Sequence, residues 1–175
     1  VYRQLKINFY EQLQVQDLDD EGADQEAQLL LGRLMFLKFL EKRGWLDDNR
    51  NYLRDAFLRR RKNSFYKVVL DPLFFDILDK YPPARRKRFQ KSALPFLNGG
   101  LFRPPKQRGF DLPDSLFDPN LQTSVLGVFD QFEFTVDERA SEDVSVDPSM
   151  FGLVLESLCN EKERKAQGVH YTPEN

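Results

Sequence analysis

Apolar side chains recur at helical spacing along most of the chain. Leu5, Phe9 and Leu13, within Tyr2 to Leu18, predict a first amphipathic helix. Asp17 to Gly22 reads as an acidic turn, and Asp24 is placed to cap a second helix over about Gln25 to Arg43, its carboxylate accepting from first-turn amides. Ala27, Leu30, Leu31, Leu34, Phe36, Leu37 and Leu40 cover well over half of that helix, which predicts a central, largely buried element. Lys42 and Arg43 suit its negative end. Gly44 can take the left-handed conformation that stops it, and Trp45 and Leu46 are expected to fold back on the last turn.

Asn51 to Lys62 predicts another helix, with Leu53, Phe57 and Leu58 inward and a basic end at Arg59, Arg60, Arg61 and Lys62. Phe65 to Leu70 fits a strand or a helical turn equally. Asp71-Pro72 then reads as a capped helix start, with Leu73, Phe74, Ile77 and Leu78 inward and Pro82-Pro83 as the stop. A second basic run follows at Arg85, Arg86, Lys87 and Arg88. Leu94 to Pro119 is rich in Pro and Gly and predicts a long irregular stretch, pinned to the helices by Phe96, Phe102, Phe110 and Phe117. Asp118-Pro119 is expected to open a helix to about Gln131, with Leu121, Val125, Phe129 and Phe132 on one face. Phe132, Phe134 and Val136 alternate as a short strand would, and Glu138 to Ser145 reads as an acidic surface loop. Asp147-Pro148 begins a last helix to about Asn160, with Phe151, Val154, Leu155 and Leu158 inward. The expected fold is mainly α: an irregular helical domain over 1–146 with a long Pro/Gly-rich loop and little strand, then a distinct segment over 147–175.

Composition narrows the function. Sixteen phenylalanines in 175 residues argue for a packed core and against disorder. A net charge of −2 gives no global attraction to nucleic acid or membrane, so any basic surface must be local. Cys159 is the one cysteine, which excludes an internal disulfide and points to a reducing cytoplasm. Leu29 to Leu40, the most apolar run, is broken by Arg33 and Lys38 and falls short of the ~20 residues of a membrane span. The start at Val1 and the end at Pro173-Glu174-Asn175 read as the borders of an excised piece. No glycine-rich phosphate loop occurs. One histidine and one cysteine make neither the usual zinc site nor a Ser-His-Asp triad. Asp114 with Glu163 and Lys165 could be forced into a nuclease pattern, but the latter two fall at a helix end, not on a strand that could hold metals.

Four stretches carry a resemblance. They are Leu30 to Gly44 (LLGRLMFLKFLEKRG), Leu97 to Phe102 (LNGGLF), Phe132 to Val136 (FEFTV), and the end of the chain. The last places the helix Leu153 to Cys159 before Arg164-Lys165 and then Gly168-Val169-His170-Tyr171-Thr172-Pro173. In this order they resemble the region preceding the catalytic domain of adenine-specific DNA methyltransferases of the fused restriction-modification and phage-defence types. The resemblance implies a helical connector over 1–146 and, over 147–175, the entry to a methyltransferase domain. It implies that Tyr171, Thr172 and Pro173, with His170 beside them, contact the methionine end of S-adenosylmethionine, and that the parent protein acts on double-stranded DNA. A threonine hydroxyl with adjacent backbone groups suits a carboxylate or ammonium, and proline fixes the turn. His170 departs from the aromatic residue common at its position in that family. The family's glycine-rich cofactor loop and its Asn-Pro-Pro-Tyr type motif for the flipped adenine do not occur in these residues, so this piece alone is expected to be inactive.

Other readings stand beside these. Arg59 to Lys62 and Arg85 to Arg88 fit DNA phosphate contacts or solvated helix ends. Asn98-Gly99-Gly100 fits a phosphate nest or a tight turn between core residues. Trp45 fits a base-stacking platform or packing after a helix cap, and Cys159 reads as structural. A non-catalytic helical scaffold is the alternative to a methyltransferase segment.

Overall fold

In the computed structural model, which describes residues 1–16, 18–60, 64–97, 100–105 and 108–131, the chain opens with a helical hairpin. Helix α1 (Tyr2–Gln14) buries Leu5, Phe9 and Leu13, which lie four residues apart and therefore on one face, and it packs along α2 (Asp20–Lys42). Burying each such side chain contributes ~1.5–3 kcal/mol over leaving it exposed. The start of α2 differs from the sequence expectation. Asp19, not Asp24, caps it, accepting the Gly22 N–H at 2.8 Å, while Asp24 lies inside the helix and pairs with Lys6 of α1 at 2.8 Å. Asp20 and Glu21 suit the positive end of the helix but carry no apolar period, so the first turn is invisible to a hydrophobic pattern.

Gly44 ends α2 as expected, with φ +76°. The Trp45 N–H reaches the Leu40 carbonyl and the Gly44 N–H reaches Glu41, each at 2.9 Å, which is the paired bonding of a Schellman stop. Leu46 folds back into the core, but Trp45 is 59% exposed.

Helix α3 (Tyr52–Arg59) turns Leu53 and Phe57 inward and ends three residues short of the expected Lys62, while Leu58, expected inward, is 56% exposed. Residues 65–78 are helical throughout, which resolves the strand-or-helix ambiguity of Phe65 to Leu70. Tyr66–Leu70 and Leu73–Leu78 are wound in the wider π register, and the Asp71 N–H bonds the Tyr66 carbonyl five residues back. Pro72 therefore sits within a continuous helical stretch (φ −67°, ψ −31°) and does not start a new one. A proline ring crowds the carbonyl four residues behind it, and a wider turn relieves that crowding. Leu73, Phe74, Ile77 and Leu78 are all buried, as expected, and so are Phe75 and Asp76.

The irregular region beyond is built from 3-10 turns, including Gly100–Phe102 and Asp114–Leu116. Phe102, Phe110 and Phe117 pin it to the core; Phe96 stays 39% exposed, edge-on to Tyr81. The helix expected from Asp118 shrinks to α4 (Val125–Phe129), capped by Ser124, whose Oγ accepts the Gly127 N–H at 3.0 Å. Asp118 spends its carboxylate on the Asn120 N–H and its carbonyl on the Ser124 hydroxyl, so Pro119 starts a turn and Leu121 faces solvent.

The phenylalanines explain how so irregular a chain holds together. Phe9, Phe117, Phe65 and Phe57 form a series with ring centroids 5.2–5.7 Å apart, joining α1, the loop, the π stretch and α3. Phe36, Phe102 and Phe74 form a second at 5.8–6.0 Å, joining α2, the loop and the π stretch. The fold is mainly α, and no strand occurs among the described residues. The strand expected at Phe132 to Val136, the helix from Asp147 and the boundary at 146/147 lie outside the described residues.

Candidate functional site

Of the residues expected to meet a cofactor, His170, Tyr171, Thr172 and Pro173 lie outside the described residues. So do Arg61 and Lys62 of the first basic run. The remaining basic residues divide sharply. Arg59 is exposed and 3.5 Å from Asp55. Arg60 is turned inward: its guanidinium lies over the Phe57 ring, and its Nε bonds Asp114 at 2.9 Å. Arg85 is buried, with Nε on the Ile77 and Lys80 carbonyls at 3.1 and 3.0 Å, Nη1 on Ser92 at 3.2 Å, and Nη2 on Leu94 and Pro95 at 2.9 and 3.1 Å. Arg86, Lys87 and Arg88 face solvent. Arg86 sits 3.4 Å from Asp76, and Arg88 lies over the Phe89 ring.

Sequence reasoning took Arg33 and Lys38 as interruptions of an apolar run; the structure makes them the centre of an internal charge network. Arg33 is fully buried, 2.6 Å from the buried carboxylate of Glu26 two turns earlier on α2. It also donates to the carbonyls of Leu101 (2.7 Å) and Arg103 (3.3 Å), and it lies 5.0 Å from the Phe75 ring centre. Burial pushes the Glu26 carboxyl above its usual range, and the attraction of Arg33 only partly opposes that. Lys38 bridges Glu41 and Asp130 at 2.8 and 2.7 Å. Glu41 in turn accepts the Leu53 N–H at 2.7 Å, capping α3 from a neighbouring helix where Asn51 provides no side-chain cap. Part of the signal was present: Arg33, Lys38 and Glu41 stand in the apolar run from Leu29 to Leu40 or just past it, where most neighbouring positions are buried, whereas Glu26 lies in a turn with exposed Asp24 and Gln25 and carries no such mark.

A second set of acids ties the loop to the π stretch. Asp114 accepts the Phe65 N–H at 2.7 Å, while the Asp111 backbone N–H donates to the Gln16 side chain just beyond α1 at 2.6 Å and ties the loop there as well. Arg108 grips Asp71 through Nε at 3.0 Å and reaches Asp76 at 3.5 Å.

Chemically this arrangement positions chain segments: its buried charges are matched by protein partners, which leaves little to offer a ligand. A shallow cleft of about 220 Å³ lies between Leu5, Phe9, Leu116 and Leu121, with Asn8, Ser115 and Thr123 at its polar edge. It is smaller than the ~300–1,000 Å³ of typical small-molecule sites. Among the described residues, no three His, Cys, Asp or Glu side chains are grouped to hold a metal ion, and no helix is long and apolar enough to cross a membrane.

No family model and no solved structure matches the chain. A protein of Methanocaldococcus jannaschii named "Putative type II restriction enzyme and methyltransferase" is 32% identical over 163 residues, covering 85% of this chain. The chain spans 13% of that protein's length. By that match the chain is similar to one section of a much longer protein of that name.

Proposed function

We propose that this chain is the connector and entry segment of an adenine-specific DNA methyltransferase working in the cytoplasm within a restriction-modification or phage-defence system. The observation that carries the reading is the similarity, over 85% of the chain, to a protein whose name joins restriction and methyl transfer. The terminal Gly168 to Pro173 segment, which resembles the first cofactor motif of such enzymes, supports it. In this reading Tyr171, Thr172 and Pro173, with His170 beside them, hold the methionine end of S-adenosylmethionine, which supplies the methyl group for the amino nitrogen of adenine in double-stranded DNA. Residues 1–146 act as a stiff helical mount, 147–175 lead into the catalytic fold, and the segment by itself positions and does not catalyse. The interlocked charges of α2, the π stretch and the loop suit that role, because a mount transmits orientation only if its segments cannot slide. The exposed residues of the two basic runs, Arg59 and Arg86 to Arg88, would contact DNA phosphates.

The test uses a protein spanning this chain and the sequence that follows it. Tritium from labelled S-adenosylmethionine should appear in adenine of duplex DNA, and Thr172→Ala with Pro173→Ala should abolish cofactor binding in a calorimetric titration. Full-strength cofactor binding by that double variant would remove these residues from the site, and the absence of methyl transfer by the longer protein would overturn the reading.

A further inference from the structure

The charge of this chain is not evenly spread. Between Lys80 and Phe110 it has nine lysines and arginines and no aspartate or glutamate, in a protein whose overall balance is −2. The fold divides six of those cations into two groups. Arg85 and Arg108 are committed internally, the first to five backbone carbonyls and the second to Asp71 and Asp76. Arg86, Lys87, Arg88 and Lys91 are exposed together on and beside the 3-10 turn Lys87–Phe89, beyond the π stretch.

That surface is braced. The Arg85 fork holds carbonyls from both ends of the excursion, Ile77 and Lys80 on one side and Ser92, Leu94 and Pro95 on the other. The Leu97 N–H closes it on the Leu78 carbonyl at 2.8 Å. A planar guanidinium can serve several carbonyls at once, and turning Arg85 inward leaves its neighbours in sequence pointing out. Tyr81, 62% exposed, and Phe96 lie edge-to-face at 5.9 Å on the same excursion. Of the four exposed cations only Arg86 has an acid at hand: among the described residues no carboxylate pairs with Lys87, Arg88 or Lys91.

We propose that the excursion from Tyr81 to Phe96 is a preformed docking surface for the phosphate backbone of duplex DNA, contacted by Arg86, Lys87, Arg88 and Lys91. The proposal rests on the reading that the parent protein acts on DNA, and it names where this section touches it. Closely spaced cations on a short rigid loop match a line of phosphates, and their contacts orient a protein without reading sequence. A membrane surface fits less well, since Tyr81 and Phe96 are the large apolar side chains exposed here and no amphipathic helix accompanies them.

The test is fluorescence anisotropy of the 175-residue chain with a short labelled duplex across a range of salt concentrations. Four phosphate contacts give a log–log salt slope of about −3.6. The variant Arg86→Gln/Lys87→Gln/Arg88→Gln should lower its magnitude by about 2.7 and weaken binding at least ~10-fold at low salt. A control on other exposed cations, Arg3→Gln/Arg43→Gln/Arg50→Gln, should change neither. Circular dichroism melts establish that both variants fold. An unchanged slope in the first variant, or an equal loss in the control, overturns this surface while leaving a DNA-directed parent intact. No duplex binding by the wild-type chain at low salt also overturns it, and methyl transfer by the longer protein then judges the parent separately. Binding to phosphatidylserine vesicles as tight as to DNA, lost in the same variant, overturns DNA as the occupant.

Discussion

Replacing Arg33 with methionine tests the central claim about the interior. The substitution keeps volume and apolar contact with Phe74 and Phe75 but strands the Glu26 carboxylate, which is 2.6 Å from the guanidinium and almost without solvent. Removing one partner of a buried ion pair costs about 3–5 kcal/mol, because the other charge is left uncompensated. The carbonyls of Leu101 and Arg103 also lose a donor, which places the expected loss toward the upper end. That is a large part of the ~5–15 kcal/mol that stabilises a typical domain. The pH dependence identifies the cause. Arg33 is what opposes the upward push of burial on Glu26, so without it the folded-state pKa rises further above the unfolded value near ~4.3. A raised folded-state pKa means the folded protein holds the proton more tightly, so stability declines as pH climbs from the unfolded value through the folded one. Urea unfolding followed by circular dichroism should therefore show a larger deficit for Arg33→Met at pH 8 than near pH 4.5. Adding Glu26→Gln should recover part of it and flatten the pH dependence. A loss below about 1 kcal/mol, or a double variant showing the full sum of two single losses, would refute the reasoning.

Three further substitutions separate the structure from the sequence pattern. Asp19→Ala should cost ~0.5–2 kcal/mol in thermal melts because it removes the α2 cap. Asp24→Ala, which breaks a half-exposed pair with Lys6, should cost no more than ~1 kcal/mol, and the reverse order would restore Asp24 as the cap. Gly127→Ala would drive a Cβ into the Leu121 carbonyl, a backbone atom that cannot rotate away. Overpacking of this kind costs ~1–3 kcal/mol, and a neutral result would show that the 118–124 turn is free to shift.

Much of the architecture could be read from the chain, and where reading failed the reasons are physical. The apolar spacing of α1, the extensive burial of α2 and the Gly44 stop follow from local geometry, and the structure has them. Pro72 and Pro119 misled in opposite senses. The first is absorbed into a helix because the π register makes room for its ring, and the second fails to start one because Asp118 bonds forward into a turn. Both outcomes depend on partners chosen by neighbouring residues, which a hydrophobic pattern does not contain. The charges inside α2 were the larger omission. Arg33 and Lys38 were visible as exceptions, but their partners Leu101, Arg103 and Asp130 lie 68–92 residues away, and only the fold brings them together. The second basic run shows the same limit from the other side. Four adjacent cations look equivalent in sequence, yet one alone, Arg85, meets five inward-facing carbonyls, while Arg86, Lys87 and Arg88 face solvent. A binding surface read from a charge run alone would count all four alike. The structure separates the residue that shapes the surface from those that can touch a ligand, so substituting Arg85 and substituting its neighbours are different experiments.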